Sequence, residues 1–176
     1  MQVTAAYFIQ EVNMRNKETE KLFRLAYTDA MTGLYNRNAY EEKLEKLNRA
    51  NARLDNIMIV IVDINRMKFI NDTYGHRTGD ETIKTVAECL CKTVGTKADV
   101  YRIGGDEFVC IAERDISSYI SELRDLLSFV GKEKMYPLSV SLGYSKFDTK
   151  RDKSIDDLIR RCDKKMYDAK KRRSAK

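Results

Sequence analysis

A chain of 176 residues, 43% of them hydrophobic, is long enough for one compact domain with a real core, and nothing in its composition points to disorder. Its net charge of +6 suits an anionic partner (nucleic acid, a membrane surface or a polyphosphate), although the run Lys170-Lys171-Arg172-Arg173 supplies part of the excess and reads equally as a solvated face. Four cysteines without a CxxC pair and a single histidine argue against zinc, and no apolar run approaches the ~20 residues of a membrane span. No leader pattern opens the chain, so the cysteines read as reduced thiols in a cytosolic protein.

Residues 1–30 read as a helix without a strong apolar face. One heptad frame fits, with Ile9, Asn16 and Phe23 at one seam position and Ala5, Val12, Thr19 and Ala26 at the other. That is a weak coiled-coil seam, or else a helix lying against its own domain. Small polar residues and Gly33 break the pattern at 28–33. Tyr40, Leu44, Leu47 and Leu54 then recur at helical spacing. The apolar run Ile57–Val62 predicts a central strand covered on both faces, with Asp63 at its end.

Ile83, Val86, Ala87, Leu90 and Val94 predict a long helix. Strands at 99–103 and 107–112 follow, joined through Gly104-Gly105, a hairpin signal because both residues tolerate positive φ. Residues 117–130 form a helix with Tyr119, Leu123, Leu126, Leu127 and Val130 inward, and Leu138–Tyr144 is a strand. Ser154 and Asp157 resemble a capping box opening a last helix with Ile155, Leu158, Ile159, Cys162 and Met166 inward. This order predicts an α/β sandwich on a mixed sheet.

Asp63 and the hairpin carboxylates Asp106 and Glu107 can converge, and hard cations such as Mg²⁺ take such oxygens while leaving positions for substrate phosphates. Two ions ~4 Å apart can serve an attacking and a leaving oxygen. An acidic hairpin tip is also a common solvated feature. Lys68 can meet a phosphate as a point charge, and Asn71 with Asp80 offers the donor and acceptor pair that suits guanine. Asn71-Asp72 and Gly79-Asp80 read as well as turn and cap chemistry, and His76 reads as a structural hydrogen-bonding residue in a turn.

Gly104-Gly105-Asp106-Glu107-Phe108 is the GGDEF signature, and the chain resembles the catalytic domain of the bacterial diguanylate cyclases. The resemblance covers roughly 29–171 in order: Asp29–Arg37, Asp63–Asp80, the signature, Ser139–Gly143 and Asp163–Lys170. It implies a ferredoxin-like, cyclase-palm fold with a mostly antiparallel mixed sheet, with 1–28 a helical connector and 29–176 the catalytic domain. It implies condensation of two GTP into cyclic di-GMP with release of pyrophosphate, across a homodimer. Asp63, the Ile64 carbonyl and Asp106, with Glu107 close by, would hold two Mg²⁺ ions, or Mn²⁺. Asp106 or Glu107 would help deprotonate the attacking hydroxyl. Asn71 and Asp80 would read guanine, Lys68 and Lys170 would neutralise phosphate, and Phe69-Ile70 with the Gly104 backbone would line the pocket. It also implies an upstream sensory domain and a cytoplasmic location, with neither nucleic acid nor membrane as a partner of this segment.

The chain departs from the family at four places. Asn65 stands where a second Asp is common. Arg66-Met67 replaces a pair containing an aromatic. The inhibitory RxxD element is one residue short, with Thr96 where its Arg would align to Asp99, which implies no feedback inhibition through that element. The usual Gly-Arg-Asn after the last helix is absent, leaving Arg172 or Arg173 as its substitute. The alternative is a catalytically silent module that binds GTP or docks a signalling partner. A generic basic nucleic-acid binder fits poorly, because the aromatics are not interleaved with the basic residues.

Overall fold

The computed structural model describes residues 2–49 and 53–174, with side chains described for 14, 15, 17–49 and 53–172. In chain order the elements are α1 (Gln2–Tyr27), α2 (Arg37–Leu47), β1 (Met58–Ile64), α3 (Met67–Tyr74), α4 (His76–Val94), β2 (Asp99–Arg102), β3 (Glu107–Ala112), α5 (Ser117–Lys132), β4 (Val140–Lys146) and α6 (Ile155–Ser174). The strands lie in the order β2-β3-β1-β4, every pair antiparallel. The parallel component of the mixed sheet is an isolated bridge from Tyr35 to Tyr101 of β2.

β1 is buried along its whole length because both faces are apolar. Met58, Val60, Val62 and Ile64 face a core shared with Val86 and Leu90 of α4 and Leu123 and Leu127 of α5. Ile59 and Ile61 face the opposite layer with Leu158, Cys162 and Met166 of α6. The period-two alternation of a strand thus feeds two cores at once. Burying a side chain such as Phe108, which is wholly inaccessible, contributes roughly 1.5–3 kcal/mol.

Helix limits follow local chemistry. Asn36 caps α2, its side-chain oxygen accepting from the Ala39 amide at 3.1 Å. α2 ends at Leu47, so Leu54 lies beyond it, partly buried against the α6-side core. Gly75, at φ 85°, closes α3 and opens α4. Half of the expected box at α6 forms, with Asp157 Oδ2 accepting from the amides of Lys153 at 2.8 Å and Ser154 at 3.2 Å. β4 starts two residues later than predicted. The Leu138 amide, next to Pro137, turns back to the Tyr136 carbonyl at 2.8 Å, while Ser145 and Lys146 extend the pairing to Ile59 and Met58.

The hairpin differs from its expectation. Ile103–Asp106 separate the two strands, and neither glycine there has positive φ; Gly33 and Gly75 are the glycines that do. At Gly104 a β-carbon would lie 2.7 Å from Glu107 Oε2, so a side chain there would displace the end of Glu107. All four cysteines are free, and among the described residues no helix is long and apolar enough to cross a membrane. The seam residues Ala5, Ile9, Val12 and Asn16 lie outside the described side chains. Farther along α1, Met14, Leu22, Phe23 and Leu25 are exposed.

Candidate active site

Strand pairing places the acidic residues. Asp63, next to last in β1, sits opposite Glu107 of β3 and Ser141 of β4. The Ile64 amide donates to the Asp106 carbonyl at 3.1 Å, tying the strand end to the hairpin tip. Asp63 is buried and needs a partner. It finds one in Lys170 of α6, whose Nζ donates to both carboxylate oxygens, at 2.7 and 2.9 Å. α6 lies close because Gly143 of β4 has no side chain: a β-carbon there would collide with the Cys162 carbonyl and the Met166 amide. Burial, and then the facing Asp63 charge, pushes the Asp106 carboxyl above its ordinary value.

A second ion pair braces the same hairpin. Arg102 Nη1 reaches Asp29 Oδ1 at 3.1 Å and Oδ2 at 3.2 Å, while Nη2 donates to the Gly105 carbonyl at 2.8 Å. Burial alone would raise the Asp29 carboxyl. The Thr32 hydroxyl and amide and the Arg102 guanidinium outweigh it and hold the group below the ordinary carboxylate value. Sequence alone gives Arg102 no site role. The available signal was a basic residue ending an apolar strand, because a buried charge requires a partner.

α3 and α4 form the other wall. Lys68, Asn71, His76, Arg102, Gly105 and Asp106 border a cavity of about 370 Å³. The Asn71 side chain occupies space left by Gly79, where a β-carbon would collide with its carboxamide oxygen. Asp80 follows Gly79 and is exposed on α4. His76 departs from its expected turn role, since its imidazole makes no hydrogen bond among the described residues and borders the cavity. Phe69 stands outside that lining, its ring 6.3 Å from Tyr74 and 5.7 Å from the Arg66 guanidinium. Ile70 is wholly buried in the core. Arg66 adopts φ 60°, so this short loop is a strained spot beside the site.

Asn65 is a structural anchor. Its Nδ2 donates to Ser139 Oγ at 3.1 Å and its Oδ1 accepts from Ser141 Oγ at 2.7 Å, joining the end of β1 to β4. Asp99, at the departed inhibitory element, is engaged by Lys43 at 3.2 Å and by the Tyr101 hydroxyl at 3.4 Å. Arg172 Nε donates to the Asp168 carbonyl at 3.3 Å, and the Arg173 side chain lies outside the described set.

The donor set suits a hard dication. Asp63 and Asp106 are like charges close enough to perturb one another, and the donors on offer are oxygens. Among the described residues no group of three or more His, Cys, Asp or Glu is placed to hold a metal ion, so the protein offers at most a pair of carboxylates here. Mg²⁺ is commonly held by one or two carboxylates with its remaining positions left to water and phosphate oxygens, and the pair Asp63 and Asp106 is compatible with that mode.

The family model for the diguanylate cyclase GGDEF domain matches residues 26–176. Diguanylate cyclase DgcN of Escherichia coli is 31% identical over 165 residues, 89% of this chain and 40% of that protein. DgcZ of the same species is 33% identical over 149 residues, 81% of this chain and 49% of its own length. The chain therefore spans less than half of either relative. The coiled coil and GGDEF domain of DgcB from Caulobacter crescentus, solved in complex with c-di-GMP, superimposes with a TM-score of 0.77 at 25% identity, covering 97% of this chain and 94% of that one. With the signature at the hairpin and the family match running from the last turn of α1 to the end of the chain, this protein belongs to the diguanylate cyclase GGDEF domain family.

Proposed function

We propose that this domain condenses two GTP into cyclic di-GMP, releasing two pyrophosphates. The observation that carries this reading is the strand register, which sets Asp63 opposite Glu107 at the hairpin whose Asp106 borders the same cavity as Lys68 and Asn71. Two bound Mg²⁺ or Mn²⁺ ions, held by Asp63, the Ile64 carbonyl and Asp106 with Glu107 beside them, would supply charge stabilisation at the reacting phosphate. Asn71 and Asp80 read the guanine edge. Lys68 and Lys170 meet the phosphates, offsetting charge that builds on the transferring group. Asp106, whose carboxyl is held above its ordinary value, or Glu107 accepts the proton of the attacking 3′-hydroxyl.

One domain holds one GTP, so the reaction needs two domains face to face, and a product with two-fold symmetry asks for a two-fold dimer. Facing the substrates supplies rate through proximity. Residues 1–28 serve as the connector that brings the two together, below a sensory domain in the cytoplasm. Asp99 is committed to Lys43 and Tyr101, which supports the absence of product inhibition at that position.

Incubation of a dimeric sample with GTP and Mg²⁺ tests the reading, with cyclic di-GMP and pyrophosphate measured in a 1:2 ratio. GTP binding without product would place the protein with the silent modules instead. Inhibition by added cyclic di-GMP that disappears in Asp99→Ala would refute the second claim.

A further inference from the structure

The proposed metal ligand already has a cation on it. Lys170 contacts both oxygens of Asp63, at 2.7 and 2.9 Å, and the Asp63 side chain is only 8% exposed. A dication approaching this carboxylate therefore meets the lysine ammonium at both oxygens. The lysine is able to move, because its side chain is 43% exposed and ends a flexible four-carbon stem near the end of α6. The arrangement also offsets the proximity of Asp63 and Asp106 before any ligand arrives. Two neighbouring carboxylates left without a cation repel.

We propose that Lys170 is a place-holder for the metal: it occupies Asp63 in the nucleotide-free protein and transfers to the nucleotide phosphates when they arrive, so that metal affinity rises with nucleotide binding. This rests on the reading of Asp63 as a metal ligand. The coupling needs no moving lid. One ammonium exchanges between two anionic partners, and what the nucleotide gives to the metal, the metal returns to the nucleotide by linkage. A domain so built does not hold the dication tightly until substrate is present, and its acidic pair is never left bare.

Binding of Mn²⁺ alone to the intact chain, followed by the loss of the free-ion electron paramagnetic resonance signal, tests this without reference to turnover. Lys170→Met is expected to bind Mn²⁺ roughly tenfold more tightly than the native chain, the scale of one charge-assisted contact. Lys170→Arg, which keeps the cation, should stay near the native affinity. Asp63→Asn placed in the Lys170→Met background should abolish the gain. A Lys170→Met chain that binds Mn²⁺ no better than native, while Asp63→Asn still weakens binding, would overturn the place-holder and leave the metal site standing. Binding indifferent to Asp63→Asn would remove the metal assignment itself. Lys170→Gln and circular dichroism guard against misfolding. If both uncharged variants unfold, recovery with millimolar Mn²⁺ supports the proposal and failure to recover refutes it.

Discussion

A β-carbon at position 79 would strike the Asn71 carboxamide, so if Asn71 reads guanine as proposed, this glycine keeps room for it without touching any ligand. Gly79→Ala should weaken GTP by roughly tenfold or more through loss of a placed hydrogen-bonding group, with a stability change below about 1 kcal/mol. Calorimetric titration beside a thermal melt separates the two effects. Asp106 gives the opposite pattern. Its carboxyl lies above the unfolded value, so the folded form holds the proton over a window in which the unfolded chain has released it. Stability falls as pH rises through that window. Asp106→Asn should therefore raise the melting temperature of the metal-free protein at pH 7 while abolishing turnover. A melting temperature that drops would contradict the account of a carboxylate penalised by burial and by the facing Asp63 charge. The roles of Asp63 and the signature could be proposed from sequence because strand ends and tight turns are local. Gly79, Arg102 and Asn65 were not legible as site elements, since their partners lie on other elements and only folding reveals them.

Among the elements, β1 was the most readable, because a strand buried on both faces leaves an unbroken apolar run and its last polar residue marks its end. β4 was two residues out of place, since a turn at Pro137 takes Leu138 before pairing begins. The hairpin was read correctly as a turn but for the wrong property of its glycines: left-handed φ is not used, and a side chain at Gly104 would instead press on the end of Glu107. The turn after α1 carries a testable charge. Asp29 is held below its ordinary value of 3.8, so its contribution is present above that pH and is lost as pH falls through the depressed value. Asp29→Asn should remove that part of the acid dependence of unfolding. It should also cost about 1–3 kcal/mol at neutral pH, because Arg102 loses its counter-charge. Urea titrations of both chains between pH 2 and 7 measure both effects.

For the whole molecule, the proposed reaction belongs to a pair. Specific activity should rise with protein concentration, and removing residues 1–25, which include Leu22, Phe23 and Leu25 of the exposed α1 surface, should raise the concentration needed for half-maximal activity. An activity per domain that is independent of dilution would refute the dimer requirement. Sedimentation at the assay concentrations gives the companion reading. The turn that joins α1 to the domain has a mechanical consequence. Tyr35 donates its amide to the Val100 carbonyl at 3.1 Å and accepts from the Arg102 amide at 2.8 Å, while Asn36 donates back to the Tyr27 carbonyl at 2.9 Å. The last turn of α1 is thus clasped to the strand that leads into the signature, with almost no slack between them. An α-helix turns by about 100° per residue, so the clasp converts helix length into azimuth. One inserted residue in α1 would swing everything upstream by that angle about the helix axis, and seven would return it almost to its starting bearing. In the proposed pair, the phase of the incoming helix, more than its strength of association, would decide whether the two sites look at one another.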